Sequence, residues 1–488
     1  MGNSGPDEPG ALTPRERRAL TRRPSDGLII AVLAAAGLLT AFMLTVVTPL
    51  IPNLPELLNT TQADAFWVLT SALLASAISI PITGRLGDMF GKRRIVVALL
   101  ISHVLGSVIS ALSDTLIPMV VGRVLQGIGL GVISLGISIL RDVIHRKRLS
   151  GAIALVSATL GIGGALGLPL AAWVAQSFDW HLLFWGAAIA GVLLLVAVVL
   201  IVPVSTLRSG GRFDFVGALG LAIGLVGILL GVTKGGEWGW LSPVTLGLLS
   251  GGVAVLAVWG WFELRVKDPL VDLRVASRRP VLLTNLASIS VGFGFFVSTG
   301  TLPIMLEAPL DSEVGLGLPL LAASLCLMPL GIVMFLMSPV AARLTNARGP
   351  RAGLLLGTII VATAYLVATL LMGEIWHVLL VSTIVGLGVG LAYSSMPNLI
   401  MRAVPPSETA AANGLNAVMR TLGSTIAAAI IGVILAAQPD ATGTPSAGAF
   451  RTVFILGASV VLAGAIVTAF IPRREPGYET ASIPVQAS

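Results

Sequence analysis

The sequence predicts an all-α polytopic membrane protein of fourteen transmembrane helices, arranged as two six-helix bundles plus an inserted two-helix hairpin. Three observations predict it. The chain is apolar throughout, 55% hydrophobic and only 11% charged, with a mean hydropathy of +0.96. No soluble core explains that composition, whereas a hydrocarbon layer about 30 Å thick needs about 20 apolar residues per helix. Basic residues gather on one side of the apolar runs, and the chain matches itself at a fixed offset.

Windows of about 19 residues place spans near 28–51, 65–84, 94–112, 116–140, 150–175, 182–203, 213–233, 242–263, 280–306, 315–337, 351–372, 376–399, 409–437 and 450–471. With the N-terminus inside, 26 of the 30 Lys and Arg fall on the cytoplasmic side. Lys234 and Arg451 fall outside, and Arg123 and Arg420 fall within spans. The positive-inside rule then sets both termini in the cytoplasm, and the expected location is the inner, or plasma, membrane. Residues 1–27, with Arg15, Arg17, Arg18, Arg22 and Arg23 among Pro, Gly and acids, read as a disordered cytoplasmic tail and not a secretory signal; 472–488 form the other tail. The formal charge of +7 is spread over short loops, where topology and anionic lipid headgroups explain it, so membrane lipids are expected partners and nucleic acid is not. The single cysteine, Cys326, excludes an intrachain disulfide.

At an offset of 258, Pro81-Ile-Thr-Gly-Arg85-Leu86-Gly-Asp88-Met-Phe-Gly91 falls over Pro339-Val-Ala-Ala-Arg343-Leu344-Thr-Asn346-Ala-Arg-Gly349. One residue further on, Gly127, Gly129 and Gly131 fall over Gly386, Gly388 and Gly390. Two six-span bundles, 28–203 and 280–471, follow economically, with 204–279 as an inserted hairpin and its cytoplasmic connection. The seventh span, with Gly217, Gly220, Gly224, Gly227 and Gly231, has the spacing for close helix contact, and it is expected to pack on the bundle and not to line the pathway. The loop from Glu263 to Arg279 reads as a solvated connection that lets the halves move.

The most specific signal is Gly84-Arg85-Leu86-Gly87-Asp88-Met89-Phe90-Gly91-Lys92-Arg93-Arg94 after span 2. Glycines permit a tight turn and close helix approach. One carboxylate among cations can form charge-assisted bonds or meet a helix N-terminus, contacts that one conformation holds and another breaks. A topology anchor accounts for the cations but not for Asp88. Span 4 carries Gly122-Arg123-Val-Leu-Gln126-Gly127-Ile-Gly129-Leu-Gly131. A guanidinium at membrane depth costs roughly 2.5–3.5 kcal/mol on insertion scales, so Arg123 needs a cavity, a polar partner or backbone carbonyls that hold it structurally.

These residues resemble the major facilitator superfamily. Its loop signature G-x-L-x-D-x-x-G-R/K-R/K is met at Gly84, Leu86, Asp88, Gly91, Lys92 and Arg93, and span 4 is similar to its R-x-x-Q-G-x-G motif. Fourteen spans and the stretch Trp259 to Arg274 resemble its fourteen-span drug:proton antiporter branch. The resemblance implies that Gly84, Asp88, Gly91, Lys92, Arg93 and Arg94 form a gating latch on the cytoplasmic side, that Asp88 stabilises the outward-open state, and that Arg123 contributes to proton coupling. Because Asn346 replaces the acid in the second copy, the latch should be asymmetric.

The chain departs from that branch in span 1, where Met43 takes the place of the membrane-embedded acid. It departs again in span 5, where G-P-x-x-G-G becomes Gly163-Gly164-Ala-Leu-Gly167-Leu-Pro169. Other groups can carry a proton: Glu307 at the outer end of span 9, unless it is simply wetted beside Asp311 and Glu313, and His103 in span 3, unless it is a neutral packing residue. No carboxylate lies well inside the first-half spans, while Arg123 and Arg420 are at membrane depth. A cavity bordered by Met43, Gln126, Arg420 and Asn416 should therefore disfavour lipophilic cations and accept neutral or anionic molecules.

The expected function is export of a small amphipathic compound, an antibiotic such as a β-lactam or another secondary metabolite, by alternating access with proton antiport. The alternative is uncoupled movement of a lipid-like amphipath. The partners are then a small-molecule substrate and protons, and the chain is expected to act as a monomer. His103, His145, His181 and His377 show no metal-ligand spacing, and no nucleotide loop or nucleophile motif is present, so no metal, no cofactor and no enzyme activity are expected.

Overall fold

The computed structural model describes residues 24–51, 53–205 and 210–472. The tails expected at 1–27 and 472–488 therefore lie, up to residue 23 and from residue 473, outside the described residues. Among the described residues, fourteen helices are long and apolar enough to cross a membrane. They are α1 (Asp26–Leu50), α2 (Trp67–Phe90), α3 (Lys92–Ala111), α4 (Leu116–Val143), α5 (Lys147–Ser177), α6 (His181–Ile201) and α7 (Phe215–Trp238), followed by α8 (Pro243–Glu263), α9 (Arg279–Glu307), α10 (Leu320–Arg348), α11 (Pro350–Leu370), α12 (Ile375–Ala403), α13 (Pro406–Ala437) and α14 (Ala447–Ala469). No β-strand occurs among the described residues, as expected where lipid offers the backbone no hydrogen-bond partner.

Polar side chains start several helices where the first amides lack intrahelical partners. Ser25, Asp214, Ser242 and Ser446 accept from the N–H of Leu28, Gly217, Thr245 and Ala449. Buried apolar residues form two large cores. One gathers Ile29 to Val202 with Met401, Ala410 and Ala417; the other runs from Ala287 to Ile471. The α7–α8 hairpin uses two faces differently. Leu221, Leu225 and Leu229 of α7 cluster with Ala77 of α2 and Val418 of α13, across the seam between the halves. Its glycines instead admit α8: a Cβ on Gly227 would stand 3.0 Å from the carbonyl oxygen of Leu248.

Three sequence expectations change. The segment after span 2 is not a loop, because α2 continues through Gly84 and Gly87 to Phe90 and only Gly91, with φ 105°, breaks the helix before Lys92 begins α3. Its equivalent Gly349, with φ 82°, separates α10 from α11 in the same way; both positions need glycine. Lys234 is not in an outer loop. Helix α7 runs on to Trp238, and the lysine is buried, paired with Glu237 at 2.6 Å and lying over the Trp67 ring. Finally, the connection from Glu263 to Arg279 is pinned, since Leu270 and Val271 are buried in the α2–α7–α13 cluster.

Candidate functional site

The end of α2 meets the start of α13. Backbone amides in the first turn of a helix have no intrahelical acceptor and carry the positive end of its dipole. The carboxylate of Asp88 fills that role across the two halves, accepting from the N–H of Ala410 at 3.1 Å and of Ala411 at 3.0 Å. Close approach requires Gly84, whose Cβ would stand 2.7 Å from the carbonyl oxygen of Ala410. Lys92, the first residue after the Gly91 turn, is 1% exposed. Its Nζ lies 3.7 Å from Asp88 and 2.8 Å from Asp142 of α4, and donates to Thr409 Oγ1 at 3.2 Å. Ser205 donates to the same Asp142 oxygen at 2.7 Å, and Arg141 donates to the carbonyl of Val404 at 3.3 Å. Arg93 donates to the carbonyl of Val199 at the end of α6, and Arg94 is exposed. The cluster is thus a buried Asp–Lys–Asp chain joining α2, α3 and α4 to α13.

The second-half copy lacks this chain. Asn346 is exposed. The small-residue contact persists with its members exchanged: Ala342 of α10 faces Gly151 of α5, whose added Cβ would stand 3.8 Å from that of Ala342, and Ser338 donates to the carbonyl of Ala154 at 3.3 Å.

Arg123 is fully buried on α4, which is interrupted at Gly129 and Leu130. Its Nε donates to the carbonyl of Val68 at 3.0 Å, and its Nη1 to the carbonyl of Met43 at 2.8 Å and to Gln126 Oε1 at 2.7 Å. Gln126 donates onward to Ser107 at 3.0 Å, and Ser107 to the carbonyl of His103 at 2.8 Å. Four helices of the first half are tied together by this chain. The Met43 side chain, 1% exposed, packs in the core, so residue 43 serves Arg123 through its backbone alone. His103 is sealed against Gly129, and neither ring nitrogen has a hydrogen-bond partner.

The second half answers with a looser cluster on α13. Arg420 is half-buried, donates to Asn416 Oδ1 at 2.8 Å and lies 5.0 Å from the Tyr393 ring centroid. Asn416 donates to Asn285 at 3.0 Å and Ser288 at 2.7 Å on α9. Asn413, one turn earlier, is 4% exposed with neither side-chain polar atom bonded. Among the described residues neither Arg123 nor Arg420 forms an ion pair. Glu307, the last residue of α9, is exposed at the end of the molecule opposite the latch. No group of three or more His, Cys, Asp or Glu that could hold a metal occurs among the described residues.

The structure brings Gly84, Asp88, Gly91 and Lys92 together, joins Arg123 to Gln126 and Arg420 to Asn416, and leaves Glu307 and Arg94 apart from these three groups. Sequence reasoning missed Asp142, Thr409 and Ser205. A carboxylate directly after Arg141 at a span end was the available signal for the first, while the Ala410 and Ala411 amides carry no side-chain signal.

The family model of the Major Facilitator Superfamily matches residues 33–428 and 284–487. The chain is 25% identical over 535 aligned positions to a multidrug resistance protein B homolog of Mycobacterium tuberculosis (strain H37Rv), covering 98% of this chain and 97% of the relative. In fold it is similar to the human organic anion transporter MFSD10 (TETRAN), with a TM-score of 0.64, 16% identity and coverage of 91% of this chain and 100% of that one. It is similar also to the proton:xylose symporter XylE, with a TM-score of 0.64, 14% identity and coverage of 92% and 96%.

Proposed function

Since the chain belongs to the Major Facilitator Superfamily, we propose that it is an inner-membrane exporter of small amphipathic, drug-like compounds, neutral or anionic, which works by alternating access and exchanges them for protons. It is a transporter and not an enzyme. The observation that carries the reading is the carboxylate of Asp88 seated on the N-terminus of α13. The four cross-half links made by Asp88, Lys92, Arg141 and Ser338 all lie toward one end of the molecule. That end is closed here, and opening it must break these bonds. By the charge bias of the loops it is the cytoplasmic end, so the closed latch belongs to an outward-facing or occluded state.

The multidrug name of the mycobacterial relative favours a drug-like cargo. The two guanidinium groups without carboxylate partners favour a neutral or anionic one. Of the two, Arg420 is the recognition group in this reading, because it is half-buried with one hydrogen bond, whereas Arg123 is enclosed by three acceptors and braces α1, α2 and α4. Antibiotic export, with self-resistance as its context, follows the same line. Glu307 is exposed to the outer solution and is the candidate entry for the coupling proton; His103 and Arg123 are enclosed and would serve only after a rearrangement. The Met43 substitution favours a second reading, uncoupled movement of a lipid-like amphipath.

Everted vesicles separate the two. Uptake of labelled anionic antibiotics that depends on an inside-acid pH gradient is the expected outcome, with uptake reduced at least tenfold by Arg420→Gln and protein yield unchanged. Uptake indifferent to the gradient selects the uncoupled reading, and preferential uptake of cations sinks the assigned cargo class.

A further inference from the structure

The lipid-facing side of the α7–α8 hairpin carries two apolar grooves. The first, about 380 Å³, lies toward the latch end between Val216 and Gly220 of α7 and Val255, Val258, Trp259 and Phe262 of α8. Gly220 sets its floor, since a Cβ there would stand 3.0 Å from Trp259 Cδ1. The second, about 440 Å³, shares Val255 and continues past Gly251 and Gly227 toward the opposite end. α8 is the least covered of the fourteen helices, with 17% of its apolar window buried, so its outer face meets whatever the bilayer supplies.

The two grooves differ at their mouths. Trp261 borders the first groove and is 59% exposed. The guanidinium of Arg265 lies 3.7 Å from its ring centroid, and Arg212, Arg265 and Lys267 are all exposed. Of the nearby acids, Asp268 accepts from the backbone N–H of Arg212, Asp214 caps α7, and Glu263 is 1% exposed beside Gly217, withdrawn from the groove mouth. Beyond the second groove, Lys234 is 3% exposed and paired with Glu237, so that mouth presents no comparable charge. An apolar slot topped by an interfacial tryptophan and exposed cations matches a molecule with a hydrocarbon tail and an anionic head.

We propose that the latch-end groove binds one anionic phospholipid of the adjacent leaflet, with an acyl chain along Gly220 and Val258 and its headgroup at Arg265 and Lys267. The lipid completes the cover of α8 and so holds the hairpin over the seam between α2 and α13.

The test is native mass spectrometry of the full chain, delipidated in detergent and offered equimolar phosphatidylglycerol and phosphatidylcholine with identical acyl chains. One phosphatidylglycerol should be retained in preference. Arg265→Gln and Lys267→Gln should each lower that preference roughly fivefold, the equivalent of about 1 kcal/mol per cation near a membrane surface. Val258→Trp, at a lipid-facing position 66% exposed, should fill the groove and abolish retention without lowering the lipid-free melting temperature. Equal retention of the two lipids, a preference untouched by all three variants, or a dimer that Val258→Trp dissociates overturns the proposal; the last outcome assigns the groove to a second copy of the chain.

Discussion

The two copies of the repeated segment occupy corresponding places and make different contacts. At the first, Gly84 lets α2 touch α13, and Asp88 binds the Ala410 and Ala411 amides. At the second, Ala342 faces Gly151 at ordinary van der Waals distance and Asn346 points to solvent. Each copy keeps a glycine turn, Gly91 or Gly349, and a contact between small residues. What separates them is the buried Asp88–Lys92–Asp142 chain. A carboxylate on a helix N-terminus is strong in one geometry and worthless in another, whereas small-residue packing survives modest sliding. The first copy is therefore suited to be the switch and the second the pivot.

The largest test of that contrast is Asp88→Asn, which keeps the shape and removes the charge. It should shift the equilibrium by about 2–3 kcal/mol toward the latch-open state, the worth of charge-assisted bonds to buried amides. Cysteine labelling from the latch side would read the shift as increased access to α13 near Asn413, and unchanged access would break the comparison. Next in size is a matched pair. Gly84→Ala places a Cβ against a carbonyl that cannot move aside and should weaken the closed latch by about 1–3 kcal/mol, while Gly151→Ala meets only ordinary contact and should leave transport and thermal stability near wild type. Loss of transport from both would mean that the two sites are equally tight. Asp142→Asn should come third, since it removes one of the two acids that hold the buried Lys92, and should slow transport several-fold without unfolding the chain in a thermal melt. The smallest effect is expected for Asn346→Asp, within about 0.5 kcal/mol, because the new carboxylate would stand in water; a large change in transport rate there would show that the second copy latches too.

The same division marks the two membrane arginines. Both were legible as anomalies from hydropathy alone, because a guanidinium in an apolar run is expensive wherever it ends up. Which one is enclosed was not legible. The acceptors of Arg123 include the backbone carbonyls of Met43 and Val68, groups that every residue possesses, so nothing in the sequence marks them. The Asn416 partner of Arg420 is a turn away on the same helix and could be read from spacing.

Fourteen spans, their order and the existence of a repeat were determined by the sequence itself, because burial in lipid demands long apolar helices and each helix satisfies its own backbone. The sequence also singled out Asp88 as a lone acid among cations. Helix ends were less well marked: α2 runs on to Phe90 and α7 to Trp238 because polar residues there find partners, Asp88 on α13 and Lys234 with Glu237 of its own helix and Trp67 of α2. Only the tertiary structure decided what each polar group meets. The cross-half partners of Lys92 and Asp88 are a hydroxyl and backbone amides 317 to 323 positions away, and the energy of a buried charge depends on their distance and direction, which linear order does not contain.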